Sequence, residues 1–237
     1  MTREGRTPRE LRPVSILRNY TKNADGSVLI SFGDTRVLCT ATAEERVPAW
    51  LKGRNRGWLT AEYAMLPASA SEGRISRDAT RRGRAMEISR LIGRSLRSVI
   101  DLERLGERQI TIDCDVLQAD GGTRTAAITG GYVALHDAVS GLVERGLMGE
   151  SPMTGQCAAI SVGLLDGEAY LDLCYTEDSA ADVDLNLVMK GDESIIEVQA
   201  TAEGEAFDRA QLDEMLELGR KGVFELFDLQ SKALADG

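Results

Sequence analysis

The sequence contains a single histidine, His136, and this scarcity excludes several kinds of active site. A zinc site built from several histidines cannot form, and a Ser-His-Asp triad would have to use this one residue. His136 falls in a helical pattern of apolar residues, well after a glycine-rich loop. We therefore expect it to be a structural residue of that helix.

Cysteines and long apolar runs are also scarce. Cys39, Cys114, Cys157 and Cys174 are widely separated, lie in apolar runs and form no C-x-x-C pair, which predicts buried free thiols in a reducing cytoplasm. No apolar run approaches the ~20 residues needed to cross a bilayer. The charged residues 1–6 lack the apolar stretch of a signal peptide. We expect a cytoplasmic protein that does not enter a membrane.

The net charge of −10 argues against simple non-specific RNA binding, because phosphate contacts need Lys and Arg. The charge is unevenly distributed, however. Residues 74–97 hold eight arginines against Asp78 and Glu87, and residues 166–205 hold twelve acidic residues against Lys190. A basic and an acidic segment together suit an enzyme that holds a polyanion and uses carboxylates, for instance for a metal ion. The alternative is two solvated faces of opposite sign.

Apolar periodicity predicts strands that come in groups before helices. Strands are expected at residues 27–32, 36–42, 58–63, 109–117, 158–165, 169–173, 183–189 and 194–200. Helices are expected at residues 83–102 and 125–145, and a last helix is expected after Asp208. Residues 33–35 and Asp166-Gly167 are hairpin turn signals. Asp208 as N-cap and Gln211 at N3 form the pattern of a capping box.

This grouping favours an α+β fold with one mixed or antiparallel sheet and helices packed against it. A length of 237 residues allows one large domain or two small ones. No linker separates the halves, and only residues 149–155 form a turn region between them. We expect one domain, residues 1–237, built from two related halves at about 1–148 and 149–237.

The loop at residues 118–125, with the sequence QADGGTRT, follows an expected strand and opens an expected helix. A helix N-terminus has unpaired N–H groups and partial positive charge. Gly121 and Gly122 permit close approach of an anion, Thr123 adds a hydroxyl, and Arg124 adds a fork-shaped cation. The loop matches neither a Walker loop nor a dinucleotide fingerprint. It indicates an anion site; the alternative is a tight turn followed by a solvated arginine.

A second candidate site lies in the acidic segment, where Asp178, Asp182 and Asp184 fall within seven residues. If a strand begins after Asp182, then Asp182, Asp184 and Asn186 alternate onto one face. Carboxylates with an asparagine suit a hydrated Mg²⁺ or a general acid of raised pKa. The alternative is an acidic loop that caps a strand.

Long motifs of the chain closely resemble the ribonuclease PH family, phosphate-dependent 3′→5′ exoribonucleases that mature tRNA 3′ ends. The longest match is residues 112–125, IDCDVLQADGGTRT. Further matching runs, spread over nearly the whole chain, are residues 11–14, 26–29, 57–67, 87–97, 177–179 and 197–199. The resemblance implies a duplicated α+β unit of the ribosomal-protein-S5-domain-2-like type, assembled as a hexameric trimer of dimers. It also implies that inorganic phosphate attacks RNA 3′ ends, including those of tRNA precursors, and releases nucleoside diphosphates.

The resemblance assigns roles to individual residues. It implies that the attacking phosphate is bound by Arg84, Gly122, Thr123 and Arg124. Asp178 and Asp184 correspond to the acidic residues that hold a divalent cation such as Mg²⁺ or protonate the leaving 3′ oxygen. Arg74 and Arg77 correspond to the arginines with which the family grips tRNA, and we expect Arg81 to bind RNA together with them. The chain departs from the family at residues 77–84, which are a few residues shorter, and at Ala85, where the family has Thr.

Two other functions are compatible with parts of this pattern. One is a catalytically inert RNA-binding subunit of a ring, as in exosome assemblies. The joint presence of Asp178, Asp184, Arg84 and Arg124 argues against it, since an inert subunit does not need all four. The other is a general anion-binding structural protein, which the long motif matches disfavour.

Overall fold

Two β-sheets and five α-helices make up the part of the chain that the computed structural model describes, namely residue 3, residues 5–77 and residues 83–235. The first sheet has the order β1-β2-β3-β5-β4, with β1 Val14–Arg18, β2 Gly26–Phe32, β3 Thr35–Glu44, β4 Trp58–Met65 and β5 Gln109–Gln118. The second has the order β7-β6-β8-β9, with β6 Cys157–Leu165, β7 Glu168–Leu171, β8 Val183–Lys190 and β9 Ile195–Ala202. The helices are α1 Arg84–Arg97, α2 Leu102–Leu105, α3 Thr123–Glu144, α4 Tyr175–Asp178 and α5 Arg209–Ala235.

The α+β class is confirmed, but the expectation of a single sheet is wrong. The long helix α3 lies between the sheets and packs on β2 and β3 on one side and on β6 on the other. Its buried residues, among them Ile128, Val133 and Leu135, point in several directions around the axis. A helix that is apolar on most sides must be covered on most sides. One buried apolar cluster therefore runs through both sheets.

The strands differ in burial according to their neighbours. In the first sheet, β5 alternates buried and half-buried residues, because α3 covers only one of its faces. In the second sheet, β6 is buried along its entire length beneath α3 and α5. The antiparallel pairs β2–β3 and β6–β7 are the two predicted hairpins, and Asp166 and Gly167 take positive φ values of 51° and 80° in the second turn.

Two helix boundaries test the predictions that were made from local sequence patterns. The capping box at the start of α5 is confirmed, since Asp208 Oδ1 accepts from Gln211 N at 2.9 Å and Gln211 Oε1 accepts from Asp208 N at 2.8 Å. The expected helix 83–102 is wrong at its C-terminal end. It ends at Arg97, Ile100 pairs with Met153 in an isolated bridge, and α2 begins after Asp101.

Strand β1 and the one-turn helix α4 were not predicted from the sequence.

Among the described residues, no helix combines the length and the apolar character needed to cross a bilayer.

Candidate functional site

A cavity of about 560 Å³ opens beside the N-terminus of α3 and draws its walls from both sheets. Met65, the last residue of β4, forms part of one wall. Ala119 and residues 121–124 line the cavity from the loop before α3 and from the first turn of α3, and Asp184 and Asn186 line it from β8. The remaining lining residues are Ala70, Ser71, Glu72, Arg84, Ser161, Tyr175, Asp178, Ser179, Ala181 and Glu203. Both the basic and the acidic segments of the chain thus contribute to one concave site.

The glycine-rich loop can take its shape only with glycine. Gly121 and Gly122 have φ values of 74° and 65°, in the left-handed region. A Cβ atom on Gly121 would stand 2.5 Å from the carbonyl oxygen of Leu173, so the backbone of the segment before α4 lies directly against the loop. Gly122 is the N-cap of α3 and aims the positive end of a 22-residue helix at the cavity.

Thr123 and Arg124 are held by side chains from other elements. The Tyr63 hydroxyl is 2.8 Å from Thr123 Oγ1, and burial of Tyr63 raises the pKa of its phenol. Arg124 Nη1 donates to Gln199 Oε1 at 2.8 Å and lies 3.6 Å from Glu87 Oε1. The loop side chains are thus positioned by β4, α1 and β9 before any ligand binds.

Glu87 and Gln199 are site residues to which the motifs gave no role. Gln199 Nε2 also donates to Glu87 Oε1 at 3.2 Å, so the two side chains form one network with Arg124. Both lie inside runs that match the family, at residues 87–97 and 197–199. Their position in these motifs was a sign that they could belong to the site, but only the folded chain shows that Glu87 and Gln199 are neighbours.

The acidic side of the cavity contains two aspartates of raised pKa. Burial, and then the charge of Asp178, raises the pKa of Asp184 from 3.8 to about 6, against the opposing effect of Arg124. Burial also raises the pKa of Asp178, while Arg84 and Arg124 act to lower it. Asn186 Nδ2 donates to Asp184 Oδ2 at 3.2 Å. A carboxyl group of this kind can hold a proton near neutral pH and deliver it to a leaving oxygen.

Eight residues named from the sequence line this cavity: Arg84, Gly121, Gly122, Thr123, Arg124, Asp178, Asp184 and Asn186. Asp182, which was expected to share a strand face with Asp184 and Asn186, does not line the cavity. It precedes β8, is exposed, and its carboxylate accepts from Asp166 N at 3.2 Å beside the β6–β7 turn.

The arginines named for RNA binding lie elsewhere. Arg74 and Arg77 are exposed on the segment between β4 and α1, outside the cavity wall. Arg81 lies outside the described residues. The same segment reaches the cavity through Glu72, whose carboxylate accepts a hydrogen bond from the Tyr175 hydroxyl.

The carboxylates of the cavity that could hold a divalent cation together are those of Asp178 and Asp184. Within residues 3, 5–77 and 83–235, no group of three or more His, Cys, Asp and Glu side chains is placed to hold a metal ion. Asp178 and Asp184 nevertheless fit Mg²⁺, which is usually bound through one or two carboxylates together with substrate phosphates and water. The mutual repulsion that raises the pKa of Asp184 is the interaction that a bound cation would relieve.

Neither the single histidine nor any of the four cysteines lines the cavity. His136 lies on α3 with its Nδ1 3.9 Å from Asp137 Oδ1, away from the cavity wall. All four cysteines are free, as predicted, and three of them are buried. Cys174 is only half-buried, so the expectation of burial is wrong for it, because it lies at the start of the short surface helix α4.

Comparison with known structures shows the same fold in rice Rrp46 and in two exosome chains. Rice (Oryza sativa) Rrp46 is 22% identical with a TM-score of 0.77, and the match covers 97% of this chain and 98% of that chain. A chain of the Archaeoglobus fulgidus exosome with RNA bound to the active site is 22% identical, with a TM-score of 0.78 and coverage of 94% and 90%. An archaeal exosome core chain is 21% identical, with a TM-score of 0.73 and coverage of 97% and 89%.

Structural similarity at such low sequence identity shows only that the fold is shared. The family models show which family the chain belongs to. The model of the 3′ exoribonuclease family, domain 1, matches residues 10–140, and the model of domain 2 matches residues 155–222. The first match contains Arg84 and the glycine-rich loop, and the second contains Asp178 and Asp184. The chain belongs to the 3′ exoribonuclease family, the ribonuclease PH family that its motifs indicated.

Proposed function

We propose that this protein is a phosphate-dependent 3′→5′ exoribonuclease that trims RNA 3′ ends, with tRNA precursors among its substrates. The observation that carries the proposal is the cavity itself. The N-terminus of α3, the two arginines Arg84 and Arg124, and the two aspartates Asp178 and Asp184 all line it. An anion site and a proton-holding carboxyl pair are the two parts that phosphorolysis needs.

The anion side suits inorganic phosphate as the nucleophile. The N–H groups at the start of α3, the Thr123 hydroxyl and the guanidinium groups of Arg84 and Arg124 can neutralise its charge. A phosphate oxygen attacks the phosphorus of the last phosphodiester, and the bond to the 3′ oxygen of the preceding nucleotide breaks. The products are a nucleoside diphosphate and a shortened RNA with a free 3′ hydroxyl. Such in-line transfer depends mainly on positioning and charge stabilisation, so neither His nor Cys is needed.

The acidic side serves the leaving 3′ oxygen, which must gain a proton. The pKa of about 6 allows Asp184 to be that proton donor, with Asp178 beside it. We also propose that Asp178 and Asp184 hold a divalent cation, Mg²⁺ or a similar ion. When bound, the cation supplies charge stabilisation at the phosphate and at the leaving oxygen.

The assembly we propose is a homo-hexameric ring, a trimer of dimers, located in the cytoplasm. Support comes from the ribonuclease PH motifs and from the similarity to chains of exosome assemblies, one of which has RNA at its active site. Exposed apolar residues, including Leu17, Trp50 and Ile195, provide surface that such contacts would cover. We propose that Arg74, Arg77 and Arg81 bind tRNA. Sedimentation of the full chain tests the ring.

The activity is tested by incubating the protein with RNA, Mg²⁺ and inorganic phosphate and identifying the released nucleotides. We expect nucleoside diphosphates that appear only when phosphate is present. Nucleoside monophosphates released without phosphate would contradict a phosphorolytic mechanism. No nucleotide release under any condition, with RNA still bound, would favour the inert ring subunit instead.

Site-directed variants make the same test specific to the cavity. Asp184→Asn should abolish nucleotide release and leave RNA binding intact, because the amide cannot supply the proton or bind the cation in the same way. Asp182→Asn is the matched control, since Asp182 is two residues away, exposed and outside the cavity. Comparing a tRNA precursor with an unstructured RNA of equal length, in wild type and in Arg74→Ala, tests the tRNA preference.

A further inference from the structure

A buried hydroxyl group that does not line the cavity holds the glycine-rich loop in place. Thr35, the first residue of β3, is fully buried, and its Oγ1 donates to Gly121 O at 2.6 Å. The same oxygen accepts from Asp120 N at 2.9 Å. A single hydroxyl thus fixes one carbonyl and one N–H group of the loop at once.

Arg12 reinforces this contact from the same side. Its guanidinium donates to Asp120 O, and its Nη2 lies 3.4 Å from Gly121 O. Two successive carbonyl groups of the loop are therefore drawn toward Thr35 and Arg12, and neither of these residues lines the cavity. The loop, by contrast, lines the cavity through both glycines.

The direction of those carbonyl groups determines the direction of the loop N–H groups. None of the described peptide bonds is cis, and in a trans peptide the N–H points opposite to the C=O of the same unit. The N–H of Gly121 is therefore directed away from Arg12, and the N–H of Gly122 away from Thr35. Because both glycines line the cavity and neither Thr35 nor Arg12 does, this direction takes the two N–H groups toward the cavity, where an anion could accept hydrogen bonds from them.

Arg12 is itself locked in place by the second half of the chain. Asp172, which is fully buried, accepts from Arg12 N at 2.8 Å, from Nε at 3.0 Å and from Nη2 at 2.7 Å. The stem of Arg12 lies over Gly33, where a Cβ atom would stand 2.9 Å from Arg12 Cδ. Asp172 comes between β7 and α4, and α4 carries Asp178. The pair thus connects the phosphate loop to the segment that bears the acidic residues.

We propose that Thr35, supported by the Arg12–Asp172 ion pair, is a positioning residue for inorganic phosphate. Thr35 touches no substrate; it sets the orientation of the Gly121 and Gly122 N–H groups that would bind the phosphate. The proposal rests on the proposed function, because it takes phosphate as the ligand of the loop. It predicts that the Thr35 hydroxyl controls phosphate affinity more than RNA affinity.

Thr35→Val tests the proposal, because valine keeps the shape and removes both hydrogen bonds. We expect the KM for phosphate to rise about tenfold to a hundredfold, the loss typical of a misplaced binding group, while the KM for RNA changes less than about twofold. Thr35→Ser retains the hydroxyl and should restore the phosphate KM to within about threefold of wild type, by the same reasoning.

Thr129→Val is the matched control for loss of stability. Thr129 is also fully buried, and its hydroxyl also donates to one backbone carbonyl and accepts from one backbone N–H, both of Ala159. Its loss should lower the melting temperature as Thr35→Val does and leave the phosphate KM unchanged. Equal phosphate KM values in the two valine variants would overturn the proposal. So would a serine variant that behaves like valine.

Calorimetric titration of each variant with phosphate alone separates this proposal from the proposed function. If wild type binds phosphate, Thr35→Val does not, and neither releases nucleoside diphosphates, then the positioning role stands and the phosphorolytic function fails. If wild type degrades RNA with phosphate and Thr35→Val titrates like wild type, the positioning role is wrong and the function stands.

Discussion

Removing the charge of Asp184 should make the protein more stable while it removes the activity. The ionised carboxylate of Asp184 is disfavoured in the folded chain by burial and by the neighbouring charge of Asp178. Asparagine has the same shape and no charge. Its Oδ1 can still accept the hydrogen bond from Asn186 Nδ2. The substitution therefore removes an unfavourable charge without opening a cavity.

The size of the effect follows from the pKa. A rise from 3.8 to about 6 corresponds to about 3 kcal/mol, at about 1.4 kcal/mol per pKa unit. This value is an upper bound, because Asp184 is half-buried and solvent screens part of the interaction. We expect Asp184→Asn to exceed wild type in free energy of unfolding by about 1–3 kcal/mol at pH 8 in EDTA.

The sign of the effect fixes its pH dependence. The folded chain binds the Asp184 proton more tightly than the unfolded chain does, so ionisation of Asp184 lowers stability as pH rises between about 4 and about 6. Above that range the full penalty is present in wild type and absent from the variant. Below pH 3.8 both side chains are neutral in both states, and the difference should disappear.

Urea unfolding of wild type, Asp184→Asn and Asp182→Asn at pH 4, 6 and 8 measures this directly. Asp182→Asn should differ from wild type by less than about 0.5 kcal/mol at each pH, as is usual for an exposed position. Adding Mg²⁺ at pH 8 should stabilise wild type and narrow its gap to Asp184→Asn, because the ion binds the folded carboxylates. A variant that is no more stable than wild type at pH 8, or a gap that does not change with pH, would refute the electrostatic argument.

Two further substitutions test the loop and the last helix. Gly121→Ala should abolish phosphate-dependent activity and destabilise the chain by more than Gly167→Ala does. Gly167 also has a positive φ but has open space around it, so its substitution should cost only ~1 kcal/mol. Equal losses of stability in the two variants, with activity retained, would contradict the close packing of Gly121 against Leu173. Asp208→Ala should cost about 1 kcal/mol of stability and lower the melting temperature by about 2–4 °C with activity unchanged, because it removes only the α5 capping box; an unchanged melting temperature would show that the cap contributes nothing.

The parts of this protein that could be predicted from sequence are those whose information is local. The glycine-rich loop, the turn at Asp166-Gly167 and the capping box at Asp208 each lie within a few residues. Family motifs then identified Arg84 and the Asp178–Asp184 pair, which lie about a hundred residues apart along the chain yet line the same cavity. No local pattern could have brought those two regions together.

The errors arise where distant contacts decide the outcome. The apolar spacing of α1 continues past Arg97, yet the helix ends there, because Ile100 pairs with Met153 from another part of the chain. The number of sheets depends on α3, which separates them by being apolar on most sides. Thr35 shows no pattern of its own, because its significance lies in a contact with Gly121 across 86 residues of chain.

The two roles proposed for Asp184 compete for the same carboxylate, and the ligands of the cavity decide between them. Arg84 and Arg124 both act to lower the pKa of Asp184. A bound phosphate offsets these positive charges and adds its own negative charge, so it must raise the pKa of Asp184 above about 6 and favour the protonated acid. A divalent cation has the opposite effect and favours the carboxylate. The pH above which activity falls should therefore increase with phosphate concentration and decrease with Mg²⁺ concentration. If the alkaline limb of the pH–activity profile stays at the same pH in both titrations, Asp184 does not take part in proton transfer.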